Sequence, residues 1–100
     1  MKKFQPLNQI IHAQVRLSIL TLLISVKEAD FVYLKESVGT TDGNLSVHLT
    51  KLEDTGYIKI TKKFVSKKPK TICSISAKGR NAYQEYILAL EQYLIHPEKK

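Results

Sequence analysis

Asn44, Val47, His48 and Lys51 recur at i, i+3, i+4 and i+7, a spacing that puts all four on one stripe of a helix. These side chains suit the base edges of a DNA major groove. An asparagine amide pairs bidentately with adenine, and a valine touches the thymine methyl. A histidine N–H donates to a base or a phosphate, and a lysine one turn farther on reaches guanine or the backbone. Thr41 and Ser46 add short hydroxyl donors for phosphates, and free N–H groups at a helix start do the same. Asp42, in the same first turn, belongs to the same candidate DNA-binding set. The competing reading is an ordinary solvated helix face. Val47 counts against it, because nothing obliges a solvated face to carry an apolar residue.

The stripe needs a helix anchored by its other side. Leu45, Leu49 and Leu52 fall at i, i+4 and i+7 and predict a buried face roughly a quarter to a third of a turn away. Thr40 or Thr41 is placed to N-cap this helix, Asp42 complements its positive end, and Gly56 ends it. Upstream, Asp30 is placed to cap a short helix whose Phe31, Leu34 and Val38 face inward and whose C′ residue is Gly39. A short helix, a tight turn and a second helix make a helix-turn-helix. Before it, Asn8–Val26 is apolar nearly all round and predicts a central core helix, with a break near His12–Gln14. Residues 1–6, ending at Pro6, read as a flexible arm, and Lys27–Asp30 as a loop.

Downstream, Tyr57–Lys62 alternates, with Ile58 and Ile60 on one side and Tyr57, Lys59 and Thr61 on the other, which predicts a strand. Thr71–Ser76 predicts a second, with Cys73 and Ile75 inward. Between them Lys63–Lys70 reads as a basic loop, so the pair makes a hairpin. Lys59, Lys62, Lys63, Lys67, Lys68 and Lys70 occur there without an intervening acid. Lys62, Lys63, Lys67, Lys68 and Lys70 are candidate phosphate contacts, and Lys78 and Arg80 candidate flanking ones. Ser76 is placed to cap a long last helix, residues 77–96. Its Tyr83, Tyr86, Ile87, Leu90 and Leu94, widened by Ala82, Ala89 and Tyr93, exceed what one small core needs. That surplus predicts a homodimer interface over Tyr83, Tyr86, Ile87, Leu90, Tyr93 and Leu94.

Composition agrees. The chain has 100 residues, 43% of them hydrophobic, enough for a single domain with its own core. It carries 16 basic and 9 acidic residues, a net charge of +7, which favours polyanionic partners. One cysteine excludes an intramolecular disulfide and fits a reducing compartment. No apolar run approaches the roughly 20 residues of a membrane span. Gln5, Pro6, Asn8 and Gln9 interrupt any signal-peptide core, so the expected location is cytoplasmic. His12, His48, His96 and Cys73 show no metal-ligand spacing, and no phosphate loop, nucleophile elbow or carboxylate pair points to an enzyme or a cofactor.

The segment "TDGNLSVHLTKLEDTGYI", with "PKT" after the basic stretch, "KGR" opening the last helix and "IHAQVRLSILTLL" near the start, resembles small single-domain winged-helix transcriptional regulators of bacteria and archaea, in the broad MarR/ArsR-like group. The resemblance spans about Leu7–Leu94. Gln14 stands where relatives often have proline, and Ser66 where a wing glycine is common. The resemblance implies a mainly α fold with a small β-hairpin, the wing, and a long C-terminal dimerisation helix. It implies a homodimer reading double-stranded DNA through Thr41–Lys51, with the wing lysines on the backbone. It names no small-molecule effector. A protein-interaction module using the same helix is the alternative function, and a sensor with a pocket beside Tyr83, Tyr86 and Tyr93 a weaker third.

Overall fold

The computed structural model describes residues 4–94. Its elements follow in order as α1 (Gln14–Ser25), β1 (Ala29–Asp30), α2 (Phe31–Val38), α3 (Asp42–Thr55), β2 (Ile58–Val65), β3 (Lys68–Ile75) and α4 (Ala77–Leu94). The strands form one antiparallel sheet in the order β1-β3-β2. This is the winged helix-turn-helix expected from the sequence. His96, within the expected last helix, lies outside the described residues.

The core is assembled from the predicted stripes. Ile19, Leu20 and Leu23 of α1, Leu34 of α2, Leu45, Leu49 and Leu52 of α3, Ile58 of β2 and Cys73 of β3 form one buried cluster. The chain before α1 is a hydrogen-bonded turn rather than a helical extension. Asn8 Oδ1 accepts from the N–H groups of Ile10 and Ile11 at 2.9 and 3.2 Å, and Ile11 is fully buried beneath it. The described part of the N-terminal arm lies against α4. Phe4 stacks on Tyr93 with ring centroids 4.7 Å apart, and the Gln5 N–H donates to Gln92 Oε1 at 2.9 Å.

Four further expectations change. Lys27–Asp30 is not all loop, because Ala29 and Asp30 pair with Cys73 and Ile72 as a third strand. A two-residue strand is too short to show alternation. Lys63–Lys70 is not a loop either, since the strands run on to leave a turn of only Ser66 and Lys67. Both have positive φ, 53° and 65°, the signature of a type I′ turn, whose twist matches the flanking strands. Pro69 sits opposite Phe64, one position beyond the pair that closes the turn. Its missing N–H therefore points away from β2, and β1 reaches only as far as Ile72.

Tyr57 is not on the outer face of a strand. It precedes β2, is buried, and accepts a hydrogen bond at its hydroxyl from Asn8 Nδ2 at 2.9 Å. Its carbonyl lies against Gly79, where a Cβ would stand 2.1 Å from the oxygen. Finally, Tyr86 is 2% exposed within its own chain and bonded to His12 Nδ1 at 2.8 Å, so it belongs to the fold rather than to the expected dimer surface. Tyr83, Ile87 and Leu90 are partly buried against the same core.

Candidate nucleic-acid interface

The two-helix unit is set by its caps. Asp30 accepts from the Tyr33 N–H at 2.8 Å. That hydrogen bond, seconded by Lys70, holds its carboxyl below the usual range. Gly39, at φ 77°, turns the chain out of α2 and donates to the Lys35 carbonyl. Of the two candidate caps, Thr41 closes α3, its hydroxyl accepting from the Asn44 N–H at 3.1 Å. Lys35 reaches from α2 to Asp42 at 3.0 Å, so Asp42 braces the two helices as well as complementing the α3 dipole.

With Leu45, Leu49 and Leu52 buried, α3 turns Asn44, Ser46, Val47 and Lys51 to solvent. Val47 is 66% exposed, an apolar side chain that the fold does not use. Asn44 is pre-oriented, because its Nδ2 donates to Thr40 Oγ1 at 2.6 Å. The second amide hydrogen and Oδ1 remain available for the bidentate pattern that adenine offers. His48 is half-buried, and its Nδ1 lies 2.9 Å from Nη1 of Arg16 on α1. Burial, and then the Arg16 charge, push its pKa below the ordinary value.

The C-terminal end of α3 is held by α4. Gly56 takes φ 87°, and Ser76 Oγ donates to its carbonyl at 2.6 Å while accepting from the Gly79 N–H at 2.9 Å. Lys78 Nζ donates to the Thr55 carbonyl at 2.8 Å, a cation at the negative end of the helix. Lys78, expected as a flanking phosphate contact, is thus engaged with the C-terminal end of α3. Arg80 is exposed.

The wing lysines divide into two sets. Lys63 stands directly opposite Lys70 across the β2–β3 ladder, a like-charge pair that repels. Glu28 at 3.3 Å from Lys63 and Asp30 at 3.4 Å from Lys70 offset it. These two lysines are therefore partly neutralised within the chain. Lys62, Lys67 and Lys68 are exposed and form no ion pair among the described residues. Phe64 is 78% exposed near the same tip.

The candidate dimer residues divide as well. Tyr93 and Leu94 are exposed, together with Leu88 at 65%, which lies outside the expected set. Tyr83 donates to or accepts from Thr21 Oγ1 at 2.9 Å. A shallow hollow of about 250 Å³ between the arm and α4 is lined by Gln5, Pro6, Leu7, Tyr86 and Ala89 among others, and Tyr93 borders it by donating to the Gln5 carbonyl at 2.8 Å. Cys73 is buried, and burial, with Glu53 adding, pushes its thiol up to about 11, which disfavours the thiolate that binds metals. Among the described residues no helix is long and apolar enough to cross a membrane.

Sequence reasoning missed Arg16 and Leu88. Arg16 was detectable as the one charge inside the apolar run of α1. Leu88 was not, because its outward direction depends on how α4 sits on the core.

Known proteins share this arrangement. A family model described as a winged helix DNA-binding domain matches residues 15–94. An uncharacterized protein of Methanocaldococcus jannaschii is 42% identical over 84 residues, which cover 84% of this chain and 91% of that protein. The structure of a transcriptional regulator homologue from Pyrococcus horikoshii OT3 matches with a TM-score of 0.82 at 26% identity, covering 88% of this chain and 87% of that one. A MarR family regulator from Silicibacter pomeroyi shares the fold at 12% identity and a TM-score of 0.66, covering 91% of this chain and 62% of its own.

Proposed function

Because the chain belongs to the winged helix DNA-binding domain family, whose fold it shares with MarR- and ArsR-family transcriptional regulators, we propose that it is a sequence-specific double-stranded-DNA-binding regulator acting as a homodimer, and a repressor by occluding polymerase. The α3 helix enters the major groove and presents Asn44, Val47, His48 and Lys51 to base edges, while Thr41 and Ser46 meet phosphates. Lys62, Lys67 and Lys68 of the wing lie along the adjacent backbone, with Arg80 as a flanking contact. Two-fold symmetry calls for a pseudo-palindromic operator with half-sites about one helical turn apart.

The observation that carries the reading is Val47. A helix anchored by three buried leucines holds an apolar side chain out in water at 66% exposure, between an asparagine already oriented by Thr40 and a free lysine. That combination fits a base-reading surface better than a solvated one. The test is fluorescence anisotropy on the DNA upstream of the gene, against a shuffled duplex, with salt varied from about 50 to 200 mM. A preference of about 10³ or more supports a sequence-specific regulator. Equal, salt-sensitive binding to both duplexes, persisting through a screen of random DNA, would instead favour a protein-interaction module built on the same helix.

A further inference from the structure

The hydrogen-bonding sense of His48 is decided by a residue outside the reading helix. Arg16 Nε donates to the Ile10 carbonyl at 2.5 Å, and its Nη1 meets His48 Nδ1 at 2.9 Å. Its Nη2 lies 3.4 Å from the Gln9 carbonyl. The guanidinium is therefore clamped by the turn that precedes α1 and aimed at α3. A guanidinium has donors only and keeps its charge. The nitrogen facing it must accept, so the His48 ring is neutral and carries its proton on Nε2. Among the described residues Nε2 makes no hydrogen bond, and the ring belongs to the stripe of Asn44, Val47 and Lys51.

We propose that Arg16 is a positioning residue that holds His48 as the Nε2–H tautomer, so that the reading helix presents a hydrogen-bond donor there and discriminates against cytosine at the base it faces. The inference rests on the DNA-reading function proposed above. In the major groove guanine offers N7 and O6, adenine offers N7 and thymine offers O4, whereas cytosine offers only its amino donor. A ring free to change tautomer accepts from cytosine as readily as it donates to the others. A ring locked by Arg16 faces cytosine donor to donor, and two donors go unpaired. Burial and the Arg16 charge also disfavour the doubly protonated ring, whose second N–H would point at the guanidinium.

Two measurements test this separately. Nitrogen-15 NMR of the full chain without DNA reads the tautomer, with an unprotonated Nδ1 and a protonated Nε2 expected for His48. The opposite tautomer, or a ring exchanging between the two, overturns the proposal. Selection from random duplexes then reads base preference for wild type, Arg16→Lys and Arg16→Gln, each with His48 and with His48→Ala. Wild type is expected to disfavour cytosine about tenfold at one position per half-site, the effect of one lost hydrogen bond. Arg16→Gln, whose amide accepts as well as donates, should reduce this to about threefold or less and change nothing at that position once His48 is alanine, whereas Arg16→Lys, still a donor-only cation, should keep most of the discrimination. A uniform loss across all sequences, or the same shift with and without His48, assigns Arg16 to phosphate contact or to folding and overturns the proposal. If Arg16→Gln fails to fold, the wild-type spectrum and the preference at that position with and without His48→Ala decide. A wild-type protein with no sequence preference removes the base-reading role along with the proposed function, whereas a wrong tautomer in a protein that does select DNA removes only the role of Arg16.

Discussion

Single residues in this domain matter through the partners they meet across the fold. Gly79 is the sharpest case. A methyl group there would stand 2.1 Å from the Tyr57 carbonyl, so Gly79→Ala should push α4 away from the strand entry. We expect a loss of about 1–3 kcal/mol or more, read by urea denaturation, and an unchanged midpoint would refute the close approach. His48 yields a pH dependence. Its pKa in the folded chain lies below the usual 6.5, first through burial and then through Arg16. The unfolded chain then binds more protons than the native one in that window, so stability rises with pH. It is fully present above about 6.5 and is lost as pH falls from there through the folded value. Melting temperature should therefore drop between pH 7 and 5.5, and His48→Gln should flatten that part of the profile. A wild-type curve without the drop would show that the ring titrates as it would in water.

At the scale of elements, α3 and the wing have separable duties. Leu49→Ala removes a buried anchor of α3 and should cost about 2–5 kcal/mol. A melting temperature equal to wild type would reverse the assignment of the two α3 faces. The wing should act through charge. Lys67→Ala combined with Lys68→Ala removes two exposed lysines without touching the Lys63–Glu28 and Lys70–Asp30 pairs. The salt slope of DNA binding should fall by about 2. The same slope with and without these lysines would take the wing off the backbone. Much of this was legible in the sequence, because caps and stripes are local. Asp30, Gly39, Thr41 and Gly56 act within a turn of where they stand, and Leu45, Leu49 and Leu52 need only helical spacing. The strand ends were not legible, because the Ser66–Lys67 turn takes positive φ at both residues without the glycine or asparagine that marks such a turn.

For the whole molecule, the question is what covers α4. The chain measures 63 × 25 × 21 Å. Leu88 and Leu94 remain 65% and 70% exposed, and Tyr93, stacked on Phe4, is 43% exposed. The proposed homodimer would use the exposed C-terminal half of α4 and the arm lying on it, with Tyr86 serving the subunit's own interior. Leu88→Asp should convert a dimer to monomers in sedimentation equilibrium while leaving helix content intact. It should weaken operator binding steeply, since each half-site would then be held alone. A variant that stays dimeric would move the interface elsewhere.

The sequence by itself determined the order of the four helices and the two hairpin strands, the anchored face of α3 and the positive charge of the hairpin. All of these depend on periodicity, capping and composition, which act over a few residues. Only the tertiary structure decided which of the candidate groups are free. It assigned Lys63 and Lys70 to acids, Lys78 to the end of α3, Tyr86 to the core and His48 to Arg16. Each of those partners is distant in the chain, and a side chain's availability depends on what folding brings against it.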